Sequence, residues 1–159
     1  MTDLDKTATK IIPAKSARMI ARLFNMGNLL SLLPGVIIAP IILFTEVERT
    51  TMIMMFIAMI VPFILWFGIS IMIYIIARHH PNEMVGHFTQ MAAYRYYGMI
   101  GIIIPVGTFY GTDWELWIIT AGIVGMLLIP WTLVCLYKIQ KANWQDTEIE
   151  IKETEGEMA

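Results

Sequence analysis

Four stretches of this chain contain no Asp, Glu, Lys or Arg: Leu23 to Thr45, Thr50 to Ala77, Tyr96 to Thr112 and Leu116 to Tyr137. A helix needs about 20 apolar residues, within a range of about 17 to 25, to cross a hydrocarbon core of about 30 Å. The first and fourth stretches meet that length directly. The second spans 28 residues, about 42 Å as a helix, so it must tilt or extend into the headgroups. The third has only 17, and its helix is expected to begin earlier, near Met91, with Arg95 snorkelling to the interface. The fold expected from these lengths is all-α, an integral membrane four-helix bundle with spans at about 23–45, 50–77, 91–112 and 116–137.

Composition excludes the main competitors. Only 15% of the residues are charged, against about a quarter in an ordinary soluble domain. The lone Cys135 excludes an internal disulfide framework and a four-cysteine zinc site. A formal net charge of -2 gives no basic excess of the kind that nucleic acid attracts.

Orientation follows from the basic residues. With the N-terminus in the cytoplasm, Lys6, Lys10, Lys15, Arg18, Arg22, Arg78, Arg95, Lys138, Lys141 and Lys152 fall inside, and only Arg49 falls outside. That asymmetry satisfies the positive-inside rule. Both termini are therefore expected in the cytoplasm, in what reads as a bacterial inner membrane. Tyr110, Trp114 and Trp117 are expected to form an outer aromatic belt, and Tyr94, Tyr96, Tyr97, Tyr137 and Trp144 an inner one.

The chain then divides into a basic N-terminal segment (1–22), a transmembrane domain (23–137) and an acidic tail (138–159). Lys15, Arg18 and Arg22 fall at helical spacing, which suits a short helix on the anionic inner leaflet. No signal-peptide order of basic tip, apolar run and small-residue cleavage site is present, so cleavage is not expected. Past Trp144, six acidic residues face one lysine, the composition of a solvated tail. The alternation Glu148-Ile149-Glu150-Ile151 would become a strand if a partner offered a sheet edge.

Within the spans, polar residues are uncharged. Asn25, Asn28 and Ser31 recur three apart and share one face of the first span. They predict an interhelical hydrogen-bond seam, or alternatively the lining of a solute path together with Thr108. Each span carries proline: Pro34 and Pro40, Pro62, Pro105 and Pro130. Gly98, Gly101 and Pro105 line one face of the third span, and Ala121, Gly122 and Gly125 cluster in the fourth. Small residues allow close helix approach, so spans three and four are expected to form a tight hairpin.

Chemistry concentrates between the second and third spans, from Arg78 to Arg95. Pro81 suits the first turn of a helix, with Asn82 and Glu83 near its positive end. Glu83, His87, Gln90 and Tyr94 follow i, i+4, i+7, i+11 and form a polar stripe. A short amphipathic interfacial helix is expected there, with Glu83, His87, Gln90, Tyr94 and Arg95 contacting a partner or lipids. His80, Glu83 and His87 are weak candidates for a metal, since they match neither H-E-x-x-H nor the paired Glu-x-x-His boxes of di-iron bundles. The same histidines, near Arg78 and Glu83, would titrate near neutral pH.

Phosphate-binding glycine loops, nucleophile elbows and dinucleotide fingerprints are absent from the sequence. No catalytic residue or cofactor is expected. The expectation is a non-enzymatic inner-membrane protein that binds another membrane component, as an accessory subunit of a larger complex or as an inhibitory, immunity-type partner. In size and in–in topology alone, the chain resembles in outline some immunity proteins against pore-forming bacteriocins. Its partners would be membrane lipids and a membrane protein or a second copy, not nucleic acid. The alternative is a small oligomeric channel or carrier for a neutral or hydrophobic solute.

Overall fold

In hydrocarbon a backbone must satisfy its own polar groups, and long charge-free runs do so as helices. The computed structural model describes residues 7–111 and 113–152. Within them lie, in order, β1 (Thr7–Ile12), α1 (Ala14–Phe44), α2 (Arg49–Arg78), α3 (Glu83–Tyr110), α4 (Trp114–Lys141) and β2 (Thr147–Lys152). Of the four helices, α1, α2 and α4 are long and apolar enough to cross a membrane. Helix α3 is as long as α4, at 28 residues, but its first half carries Glu83, His87, Gln90 and Arg95.

The helices are longer than the charge-free stretches. The basic residues Lys15, Arg18 and Arg22 belong to α1 itself, which runs unbroken for 31 residues, so no separate surface helix precedes the first span. Likewise, the amphipathic segment is no short helix of its own. It is the opening of α3, continuous to Tyr110, because no proline or glycine pair interrupts it at Tyr94 to Tyr97. The five intrahelical prolines all sit inside continuous helices.

Helix α1 is the hub. It packs against each of the other three helices, most extensively against α4, while α2 and α4 scarcely touch. The expected hairpin of small residues between α3 and α4 is corrected here. Gly122 and Gly125 face α1, where a Cβ on Gly125 would lie 2.2 Å from Val36 Cγ2 and one on Gly122 would lie 3.5 Å from Ala39. Gly98 and Gly101 meet nothing within 4 Å. Small residues at helical spacing mark a close approach only when another backbone is there, and α3 turns those glycines outward. Helix α2 is apolar on all sides, and among its residues only Met59, Ser70 and Ala77 are buried. Such a helix suits lipid on its outer face.

The second correction concerns the ends. The acidic segment reads as a solvated tail, yet Thr147–Lys152 pairs antiparallel with Thr7–Ile12, in register Lys10↔Ile149 and Ile12↔Thr147. The sheet edge that the Glu148 to Ile151 alternation requires is supplied by the chain's own basic segment. Residues 153–159 lie outside the described residues. A lone two-stranded ribbon is marginal in water, and this one is anchored at three points. The Asp146 carboxylate accepts from the Ala14 N–H at 2.7 Å, satisfying a first-turn donor and placing negative charge at the positive end of α1. Asn82 Nδ2 donates to Thr147 Oγ1 at 2.9 Å. Trp144 Nε1 donates to the Ile139 carbonyl at 2.8 Å, and its ring packs 6.1 Å from Phe88. The first strand and the last thus meet at one end of the bundle, the ribbon end.

Candidate functional site

At the ribbon end, the turn between α2 and α3 is built by Asn82, whose side chain accepts from the Met84 N–H at 3.1 Å and so caps α3. Glu83 follows at the positive end of the helix, exposed. His87 and Tyr94, about two turns apart, are also exposed, Gln90 between them is half-buried, and Gln90 Nε2 donates to the Tyr94 hydroxyl. The stripe of Glu83, His87, Gln90 and Tyr94 therefore exists as one face of α3. Arg95 is not part of it. Its guanidinium lies toward α4, 3.9 Å from Cys135 Sγ and 5.4 Å from the centre of the Trp131 ring. Among the described residues no three His, Cys, Asp or Glu side chains gather as a metal group, so His80, Glu83 and His87 are not brought together as ligands.

A polar cleft of about 390 Å³ opens beside the stripe, between the α2–α3 turn and the start of β2. Asn82, Glu83, Asn143, Gln145, Asp146 and Glu148 line it. Three of these six are carboxylates, so the cleft favours a cationic or hydrogen-bond-donating occupant. Among the described residues the ribbon has two strands, so each has one edge with no strand paired to it.

In the same turn, His80 Nδ1 accepts from the Asn82 N–H at 3.1 Å. Accepting at Nδ1 requires the neutral ring with its proton on Nε2, and partial burial pushes the imidazole below its ordinary value of 6.5. A base whose pKa falls on folding stabilises the fold fully above the unfolded value. That contribution is lost as pH falls through the folded value. An NMR titration of the His80 ring in detergent is expected to give a midpoint below 6.5, with stability declining as pH falls from the unfolded value through that midpoint; a midpoint at or above 6.5 would contradict the turn geometry.

The second polar group is the seam. Asn25, Asn28 and Ser31 are all buried, but they do different things. Asn28 Oδ1 accepts from Trp66 Nε1 of α2 at 2.8 Å, and Ser31 Oγ donates to the Asn28 carbonyl at 3.1 Å. Trp66 was not among the residues that sequence reasoning singles out, although an indole N–H deep in an apolar stretch requires an acceptor. The Asn25 amide nitrogen and oxygen both lack a hydrogen-bond partner among the described residues, as do Thr89 Oγ1 and the Tyr96 hydroxyl of α3. Tyr96 belongs to the core, 0% exposed, not to an interfacial belt. Thr108 is exposed and bonds its own helix at the Ile104 carbonyl, so it lines no path with the seam. A cavity of about 60 Å³ adjoins Ser31, walled by Leu32, Gly35, Met59, Phe63 and Thr120. That is well below the roughly 150 Å³ of an apolar cavity that accepts benzene.

Comparison with protein-family models, with characterised proteins and with solved structures returns no match to this chain.

Proposed function

We propose that this chain is a non-enzymatic inner-membrane protein whose ribbon end binds another membrane protein, as an accessory subunit or an inhibitory, immunity-type partner. The observation that carries the reading is the acidic cleft between the α2–α3 turn and β2. It adjoins a strand edge that no strand of the described residues pairs and the exposed Glu83 and His87, and hydrogen bonds to Ala14 and Asn82 hold it in shape. Such a surface suits a basic or strand-forming segment of a partner.

Topology supports the same reading. A ribbon that joins β1 to β2 needs both strands on one side of the bilayer, and a chain that begins and ends on one side crosses an even number of times. With α1, α2 and α4 apolar enough to cross, α3 supplies the fourth crossing. The basic residues at the ribbon end favour the cytoplasm for that side by the positive-inside rule.

Purification from its membrane in mild detergent, with cross-linking before extraction, tests the reading. One membrane protein in stoichiometric amount is expected with the wild type and is expected to be lost with the double variant Glu83→Lys, Glu148→Lys. A lone monomer, or a partner equally retained by the variant, rejects it. The pure protein in liposomes is expected to pass no neutral solute; flux abolished by Asn28→Leu would replace this reading with that of a channel.

A further inference from the structure

We propose that Arg78, Tyr74 and Tyr94 form a docking site for the phosphate of an anionic membrane phospholipid. Arg78 closes α2, and its guanidinium folds back one turn, donating from Nη1 to the Tyr74 hydroxyl with Cζ 5.6 Å from the centre of that ring. It thereby turns back along α2, away from the helix end. The Tyr94 hydroxyl of α3, which accepts from Gln90, lies near the same group. The long arginine side chain is thus held by Tyr74 before any ligand arrives.

The partners are phenols; no carboxylate of the described residues pairs with Arg78. A guanidinium has five N–H donors and no acceptor, and each phenol that accepts from it keeps its own O–H to donate. Free N–H groups and the Tyr74 O–H therefore gather around one positive centre, with the Tyr94 phenol nearby. The complement of such a set is an anion with several acceptor oxygens, and the planar fork of arginine fits phosphate.

Depth selects a lipid as the source of that phosphate. Arg78 follows directly on a charge-free stretch of 28 residues, so it sits where hydrocarbon gives way to headgroups, a depth that tyrosine also favours. From Tyr94, α3 runs on into the bilayer through Gly98 and Gly101, both exposed, where an added Cβ would touch nothing within 4 Å. An acyl chain can lie against that bare backbone while its phosphate rests on Arg78. The site stands on other residues than the acidic cleft and requires only membrane residence, so either can fail without the other.

The test is native mass spectrometry of the full-length protein in mild detergent, counting lipids retained after addition of phosphatidylglycerol or of phosphatidylcholine with the same acyl chains. Wild type is expected to hold one phosphatidylglycerol about tenfold more tightly than phosphatidylcholine, and Arg78→Gln to lose that preference, the size expected for one charge-assisted contact pair. Arg78→Lys keeps the charge without the fork and is expected to weaken retention severalfold, as are Tyr74→Phe and Tyr94→Phe. Lys138→Gln, which removes an exposed charge from the same end, is expected to match wild type. Retention unchanged in Arg78→Gln, or equal losses in Arg78→Gln and Lys138→Gln, overturns the site in favour of diffuse surface charge. Displacement of the lipid by millimolar inorganic phosphate overturns it in favour of a free-phosphate site.

Discussion

Gly27→Ala is expected to unseat Trp66 and loosen the contact between α1 and α2. A Cβ at position 27 would fall 2.0 Å from the indole ring, far inside any van der Waals contact, and the ring cannot retreat without breaking its 2.8 Å bond to Asn28. Overpacking of this kind costs about 1–3 kcal/mol, and a hydrogen bond between membrane helices contributes up to about 1–2 kcal/mol more. Reversible unfolding in mixed micelles reads the sum, and the near-ultraviolet circular dichroism of Trp66 reads the displacement. Gly98→Ala is the control. It faces open space and is expected to lie within about 1 kcal/mol of wild type, on the stabilising side given alanine's higher helix propensity. Equal behaviour of the two variants would mean that Trp66 does not rest on Gly27.

Asn25→Leu and Asn28→Leu are the same substitution one turn apart on one helix face, and opposite effects are expected. Asn28 accepts from Trp66, so its loss orphans an indole N–H and is expected to destabilise by about 1–3 kcal/mol. Asn25 is 1% exposed and neither polar atom of its amide has a partner among the described residues. Leucine has the same branched skeleton without groups that need hydrogen bonds, and its presence at 25 is expected to stabilise the bundle by about 1–3 kcal/mol. The same unfolding assay compares them. A destabilised Asn25→Leu would show that the amide is paired in the folded protein. A stabilised but inactive one would mark Asn25 as a residue kept for function.

The helices were legible where local composition decides structure. Absence of charge over about 20 residues leaves few folds other than a membrane helix, and α1, α2 and α4 follow from it. Which face of each helix turns inward was legible only in part. Asn25, Asn28 and Ser31 are buried as their shared spacing implies, because polar groups avoid hydrocarbon. Tyr94 and Tyr96 carry the same interfacial signal, yet Tyr94 is 56% exposed and Tyr96 is in the core beside Phe24. Two residues apart on a helix is about 200° of rotation, and only the packing of neighbouring helices assigns the sides. The ribbon was the least legible element. Its strands are about 140 residues apart, so each reads locally as a charged segment, basic in one case and acidic in the other.

That separation also orders the assembly of the molecule. During synthesis β1 emerges first and β2 only after α4, so the ribbon cannot close until every helix between them has been made. Asp146 reaches the start of α1, and Thr147 reaches Asn82, at that same late moment. Until then the positive end of α1 lacks this cap. The groove that β2 helps to line is therefore complete only after the whole helical segment has been synthesised.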